Sequence, residues 1–171
     1  MISIRRADTS DAQALSAIAA QTFIESHGHS AGPADINKFI ADKYTVETCR
    51  ADLANPANHY HFIYYNDRLA GFSNIIFSFP CINSDLEPVT KLERIYILKE
   101  FYDQKLGHHL VNLDIELAKT NGQKGIWLFV WKENERAIRF YTKHGFKPVG
   151  SFDYRISPTH TNPNHVMLLE F

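Results

Sequence analysis

The run GIWLFVW, residues 125–131, constrains the fold most tightly. It is short enough for a strand and carries no polar side chain on either alternating set. A strand apolar on both faces cannot lie against water, so helices or loops must cover it on both sides. The segments around it supply them. KEFYDQKLGHHLVNLDIELAK, residues 99–119, places Leu106, Leu110, Leu113 and Leu117 on one helical face and ends at Asn121-Gly122, a left-handed cap. ENERAIRFYTKHG follows the strand as a second helix, ending at Gly145. VTKLERIYIL, residues 89–98, precedes the first helix as another strand. The result is a β-α-β unit in the middle of the chain.

The flanks read as follows. ISIR alternates like a short strand, and Ser10 with Gln13 has capping-box spacing before the stripe Leu15, Ile18, Ala19 and Phe23. Residues 34–54 are expected as two helical pieces, the second opened by Thr45. HYHFIYY and LAGFSNIIFSF flank Asn66-Asp67-Arg68 as a hairpin, and FKPVGSFDYRI and NHVMLLEF close the chain as strands. The expected fold is one domain, residues 1–171: a mixed α/β (α+β) sheet with helices on its faces. A net charge of −1 offers no field for nucleic acid or anionic lipid. The stretch MISIRRADTSDAQ lacks the apolar core of a secretory signal, no apolar run approaches about 20 residues, and Cys49 and Cys81 match no metal or redox spacing. A cytoplasmic protein, monomeric or homodimeric, is expected.

A strand feeding a helix leaves unpaired N–H groups at the helix start, and the dipole there favours an anion. Gly107 removes a side chain from that position, although a first-turn glycine is also commonly incidental. In the next helix Asn134 and Tyr141 are seven positions apart and share a face. Taken singly, Asn134 reads as an N-cap and Tyr141 as a core-edge residue. The nine histidines do not suggest a metal: His108 and His109 diverge by about 100° on a helix, and the pairs His27/His29 and His59/His61 lack further ligands.

With both segments in view, the chain resembles the GNAT N-acetyltransferases. LERIYI…FYDQKLGHHLV is similar to that family's pyrophosphate-binding segment. WKENERAIRFYTKHGF is similar to the segment N-x-x-A-x-x-x-Y-x-x-x-G-F, matched by Asn134, Ala137, Tyr141, Gly145 and Phe146. The likeness covers residues 60–150, and TFIES, LERIYI and IWLFVWKENERAIRFY look most like the bacterial polyamine (spermidine/spermine) branch. The family signature, Arg or Gln, two residues, Gly, one residue, Gly or Ala, is only partly kept: Tyr102 and Lys105 stand at its first and fourth positions. Amides donate without glycine so long as φ stays helical, and Lys105 would add a positive charge.

The resemblance implies a mostly antiparallel sheet around the β-α-β core, and acetyl-CoA as co-substrate with no metal. Ile95, Tyr96 and Ile97 would pair with the pantetheine arm. Amides of Asp103, Gln104, Lys105, Leu106, Gly107 and His108 would hold the pyrophosphate. Asn134 would bond the cofactor near the pantetheine, and Lys143 would reach a phosphate. Tyr141 would sit at the thiol as the acid, and Glu93, on the cofactor strand, is the candidate base, with a solvated or salt-bridged strand residue as the alternative. The expected partner is a small-molecule amine, a polyamine among the candidates, with Glu25, Asp35 and Glu93 and the rings of Phe23 and Tyr154 available to hold it. A protein N-terminus, a lysine, an amino acid or an antibiotic amine are alternative acceptors, and a non-catalytic CoA-binding module is the alternative of another class.

Overall fold

The computed structural model describes residues 1–171. Its elements are β1 (Ile2–Arg6), α1 (Ala12–His27), α2 (Pro33–Lys43), α3 (Val46–Ala54), β2 (His59–Tyr65), β3 (Arg68–Ile76), β4 (Thr90–Ile97), α4 (Leu106–Thr120), β5 (Gly125–Trp131), α5 (Glu135–Lys143), β6 (Lys147–Ser157) and β7 (His160–Glu170). The strands form one sheet in the order β1-β2-β3-β4-β5-β7-β6. The pairs β1-β2, β2-β3, β5-β7 and β6-β7 are antiparallel, and β4-β5 is parallel. The mixed sheet expected from the sequence is therefore present. The chain divides into two compact units, Met1–Ile75 with Arg94–Leu113, and Ile76–Glu93 with Asp114–Phe171.

In the first unit, β2 and β3 turn at Asn66 and Asp67, whose φ of 48° and 62° are those of a hairpin turn matched to strand twist. The α1 stripe Leu15, Ile18, Ala19 and Phe23 is buried, with Phe23 stacked on Phe39 of α2 at 4.7 Å. Thr45 caps α3, its hydroxyl accepting from the Thr48 amide at 3.1 Å. The capping box before α1 is built differently from the Ser10–Gln13 reading. Asp8 accepts from the Ser10 amide at 2.8 Å, and Asp11 accepts back from the Asp8 amide at 3.0 Å. A 3-10 turn, Thr9–Asp11, therefore precedes the α-helix. Asp11, the reciprocal partner in this box, is itself held by Arg5, at 2.7 Å.

In the second unit, β5 pairs along its whole length with β7, from Gly125↔Glu170 to Trp131↔Asn164. Trp127, Val166 and Leu168 join Cys81 and Val89 in one apolar cluster, and the indole N–H of Trp127 donates to the Phe79 carbonyl at 2.8 Å. Gly145 ends α5 with φ of 89°, a left-handed backbone that favours glycine.

Candidate active site

In the first unit, β4 brings Ile95, Tyr96 and Ile97 beside β3. A Cβ added at Gly71 would lie 2.4 Å from the Tyr96 carbonyl, so only glycine lets β3 come this close to β4. Tyr96 lies 5.8 Å from the Phe72 ring and meets His27 of α1 edge-on at 6.1 Å. After β4 the chain does not enter α4 directly. Residues Lys99–Gln104 form a 3-10 helix, and Lys105 then takes a left-handed backbone, φ 58° and ψ 21°. The α-helix starts only at Leu106.

The condition that φ stay helical through the glycine-signature region is therefore not met at Lys105. Lys105 stands at a signature glycine position, and its backbone is one that glycine adopts freely and lysine adopts at a cost of about 1–2 kcal/mol. The carbonyl of Lys105 accepts the His108 amide at 3.1 Å, which leaves Leu106 and Gly107 as the leading amides of the turn. Asp103 and Gln104 belong to the preceding 3-10 helix. The side chains of Asp103, Gln104 and Lys105 are exposed, Leu106 is buried, and His108 is half-buried.

In the second unit, Asn134 is the N-cap of α5. Its Oδ1 accepts from the Ala137 amide at 3.2 Å. Tyr141, one helical repeat later, is buried, its ring 5.6 Å from that of Phe146. Burial, and then the charge of Asp114, push its phenol well above the usual tyrosine range. The shift favours the protonated phenol, which can donate its O–H. Lys143 lies two positions further on, about 200° around the helix from Tyr141, and is exposed. Glu93 is half-buried and bonded to Lys91, Nζ to Oε2 2.6 Å. The same ammonium lies over the rings of Phe79, Trp127 and Phe129 at 4.9, 5.4 and 5.2 Å. Aromatic faces around a carboxylate-paired ammonium form an alkylammonium-binding environment, here filled by a residue of the chain itself.

Sequence reasoning missed Asp114. The leucine face was drawn through Leu113 and Leu117, but the buried stripe of α4 runs Leu106, Leu110, Val111, Asp114 and Ala118. The available signal was a carboxylate four positions after Leu110 on that stripe. The residues expected around the acceptor are placed individually. Phe23 is a core residue and Asp35 a half-buried residue in the first turn of α2. Glu25 accepts the Lys99 amide at 2.8 Å, and Tyr154 is half-buried on β6. No group of three or more His, Cys, Asp or Glu converges as a metal would require, and no helix is long and apolar enough to cross a membrane.

The sequence profile of the Acetyltransferase (GNAT) family matches residues 14–146, so the chain belongs to that family. It is an acetyl-CoA-dependent N-acetyltransferase. An uncharacterized N-acetyltransferase of Mycobacterium bovis is 28% identical over 160 residues, 94% of this chain and 97% of its own length. Another, from the pepI 3′ region of Lactobacillus delbrueckii subsp. lactis, is 28% identical over 130 residues, 75% of each chain. In fold, the chain is similar to the PaiA N-acetyltransferase of Thermoplasma acidophilum in complex with coenzyme A: TM-score 0.79, 21% identity, covering 100% of this chain and 99% of that one. It is also similar to the ribosomal-protein-S18-alanine N-acetyltransferase of Escherichia coli, at TM-score 0.71 and 19% identity, covering 99% and 94%.

Proposed function

We propose that the chain transfers acetyl to a primary alkylamine by direct attack on the thioester, polyamines being the first acceptors to test. The observation that carries the catalytic reading is the placement of Tyr141, a buried phenol seven positions after the Asn134 cap of α5. Leu106 and Gly107 would give their amides to the cofactor pyrophosphate, with the Lys105 ammonium adding charge. Ile95, Tyr96 and Ile97 would pair with the pantetheine, and Asn134 would hold the cofactor near it. Acetyl-CoA supplies the activated acetyl group.

Tyr141 faces the leaving thiolate in this reading. A thiol titrates near 8.5 and a free tyrosine near 10, so full proton transfer is uphill by roughly 2 kcal/mol before the upward shift of Tyr141 is added. Tyr141 therefore stabilises the thiolate as it develops by a hydrogen bond that tightens in the transition state. At the other end, an alkylamine with pKa about 10.4 costs roughly 4.6 kcal/mol to deprotonate at pH 7. Glu93 would take that proton through a water, with Lys91 fixing its carboxylate.

Thiol release from acetyl-CoA, followed over diamines, spermidine, lysine and an N-terminal alanine peptide, tests the acceptor. Tyr141→Phe should lower kcat on the best amine by 10-fold or more and leave coenzyme A binding within about twofold. Coenzyme A binding without turnover of any amine would leave the non-catalytic module as the better reading. An unchanged kcat would remove Tyr141 from the chemistry.

A further inference from the structure

We infer that Glu25, at the end of α1, is a positioning residue for the cofactor turn: its carboxylate fixes the 3-10 helix that delivers Lys105 in its left-handed backbone. The inference rests on the cofactor reading of the α4 turn and goes further, because it assigns to that turn a residue 74 positions away.

The 3-10 helix Lys99–Gln104 has no side-chain cap of its own, since its N-cap position is Leu98. Glu25 supplies the cap from another element, its Oε2 accepting the Lys99 amide at 2.8 Å. Its Oε1 accepts from the Gln21 side chain at 3.1 Å, one turn earlier in α1, which holds the carboxylate in place. The next two residues are also held from outside. Arg68 of β3 grips both oxygens of Glu100, at 3.0 and 2.8 Å, and its guanidinium lies 4.9 Å above the ring of Phe101, itself buried and 6.0 Å from Tyr65. Beyond Lys105, Leu106 and Leu110 anchor α4 in the core.

A non-glycine residue keeps a left-handed backbone only where its neighbours over-determine it. Downstream, the apolar stripe of α4 does this. Upstream, the Arg68–Glu100 pair is 63% and 50% exposed, and such pairs are weak in water. The Glu25 contact acts on the backbone itself, its carboxylate oxygen accepting the amide that opens the 3-10 helix. Glu25, with buried Phe101 and the Arg68–Glu100 pair, is thus an upstream restraint on where the Leu106 and Gly107 amides point, and the one that acts on the first amide of the 3-10 helix.

The test compares Glu25→Ala, Glu25→Gln and the unaltered chain by calorimetric titration with coenzyme A, with kcat measured at saturating acetyl-CoA on an amine the unaltered chain acetylates. Glu25→Ala should bind coenzyme A roughly 10-fold more weakly and raise KM for acetyl-CoA to match, with kcat within about twofold. Glu25→Gln keeps an oxygen for the Lys99 amide and should recover most of the affinity. Equal affinity in all three proteins would overturn the inference. So would a Glu25→Ala protein that loses kcat and affinity together with a lowered unfolding midpoint, since that is general loosening. Failure of the unaltered chain to bind coenzyme A would overturn the cofactor reading, and this inference with it. That result is distinct from unaltered affinity in Glu25→Ala alone.

Discussion

The left-handed backbone at Lys105 makes a prediction whose sign depends on it. At φ 58° an alanine carries a steric cost of about 1–2 kcal/mol, and glycine carries none. Glycine gives back roughly 0.5–1 kcal/mol through its freer unfolded chain. Lys105→Gly should therefore be more stable than Lys105→Ala by about 0.5–1 kcal/mol. Inside a right-handed helix the order reverses, with glycine about 1 kcal/mol worse than alanine. Both variants remove the same ammonium, so their difference isolates the backbone. For a chain of 171 residues, 1 kcal/mol moves the thermal midpoint by about 3 °C. Scanning calorimetry should thus place the glycine variant about 2–3 °C above the alanine variant. A glycine variant at or below the alanine variant would refute the left-handed turn. The pair also measures the ammonium. A charge about 6 Å from a phosphate in water contributes roughly 0.7 kcal/mol, so both variants should bind coenzyme A about threefold more weakly, and to the same extent.

Two further outcomes follow from buried polar groups. His27 is stacked on Phe23 at 5.1 Å, and burial, with help from the charge of His29, lowers its pKa to about 4. Its folded pKa lies below its unfolded value near 6.5, so its contribution is full above pH 6.5 and is lost as pH falls toward 4. At most about 3 kcal/mol is at stake, and urea titrations at pH 7 and 4.5 should show a smaller loss for His27→Gln than for the unaltered chain. An equal loss would place the acid sensitivity elsewhere. Asn164 is buried, and its Oδ1 has no hydrogen-bond partner. Such an oxygen costs about 1–3 kcal/mol, so Asn164→Leu, which keeps the branched shape and heavy-atom count, should hold or raise the thermal midpoint. A clear drop would show that the amide makes a bond the fold depends on.

The β-α-β core was legible because its signals are local. An all-apolar strand, a four-residue helical stripe and a glycine after each helix depend on neighbours within a turn or two. Asn134 and Tyr141 were legible as a pair for the same reason, since seven residues return to one helix face. Lys105 was seen as an anomaly, but its consequence was misjudged. Whether a lysine can hold a left-handed backbone depends on what fixes the residues on either side, and that restraint comes from α1 and β3. Asp114 was hidden because the leucine repeat of α4 offered two plausible stripes, and only packing chose the one containing the aspartate.

By itself, then, the sequence determined the order of strands and helices, the caps set by Thr45, Gly122 and Gly145, and membership of the acetyltransferase family through the two central segments. Tertiary structure decided what the charged residues touch. Glu25 meets an amide 74 positions away, Lys91 sits among three rings with Glu93, and Asp114 charges the surroundings of Tyr141. The physical reason is range. Periodicity and capping act between residues that are close along the chain, whereas burial and charge act between residues that only the packed chain brings together.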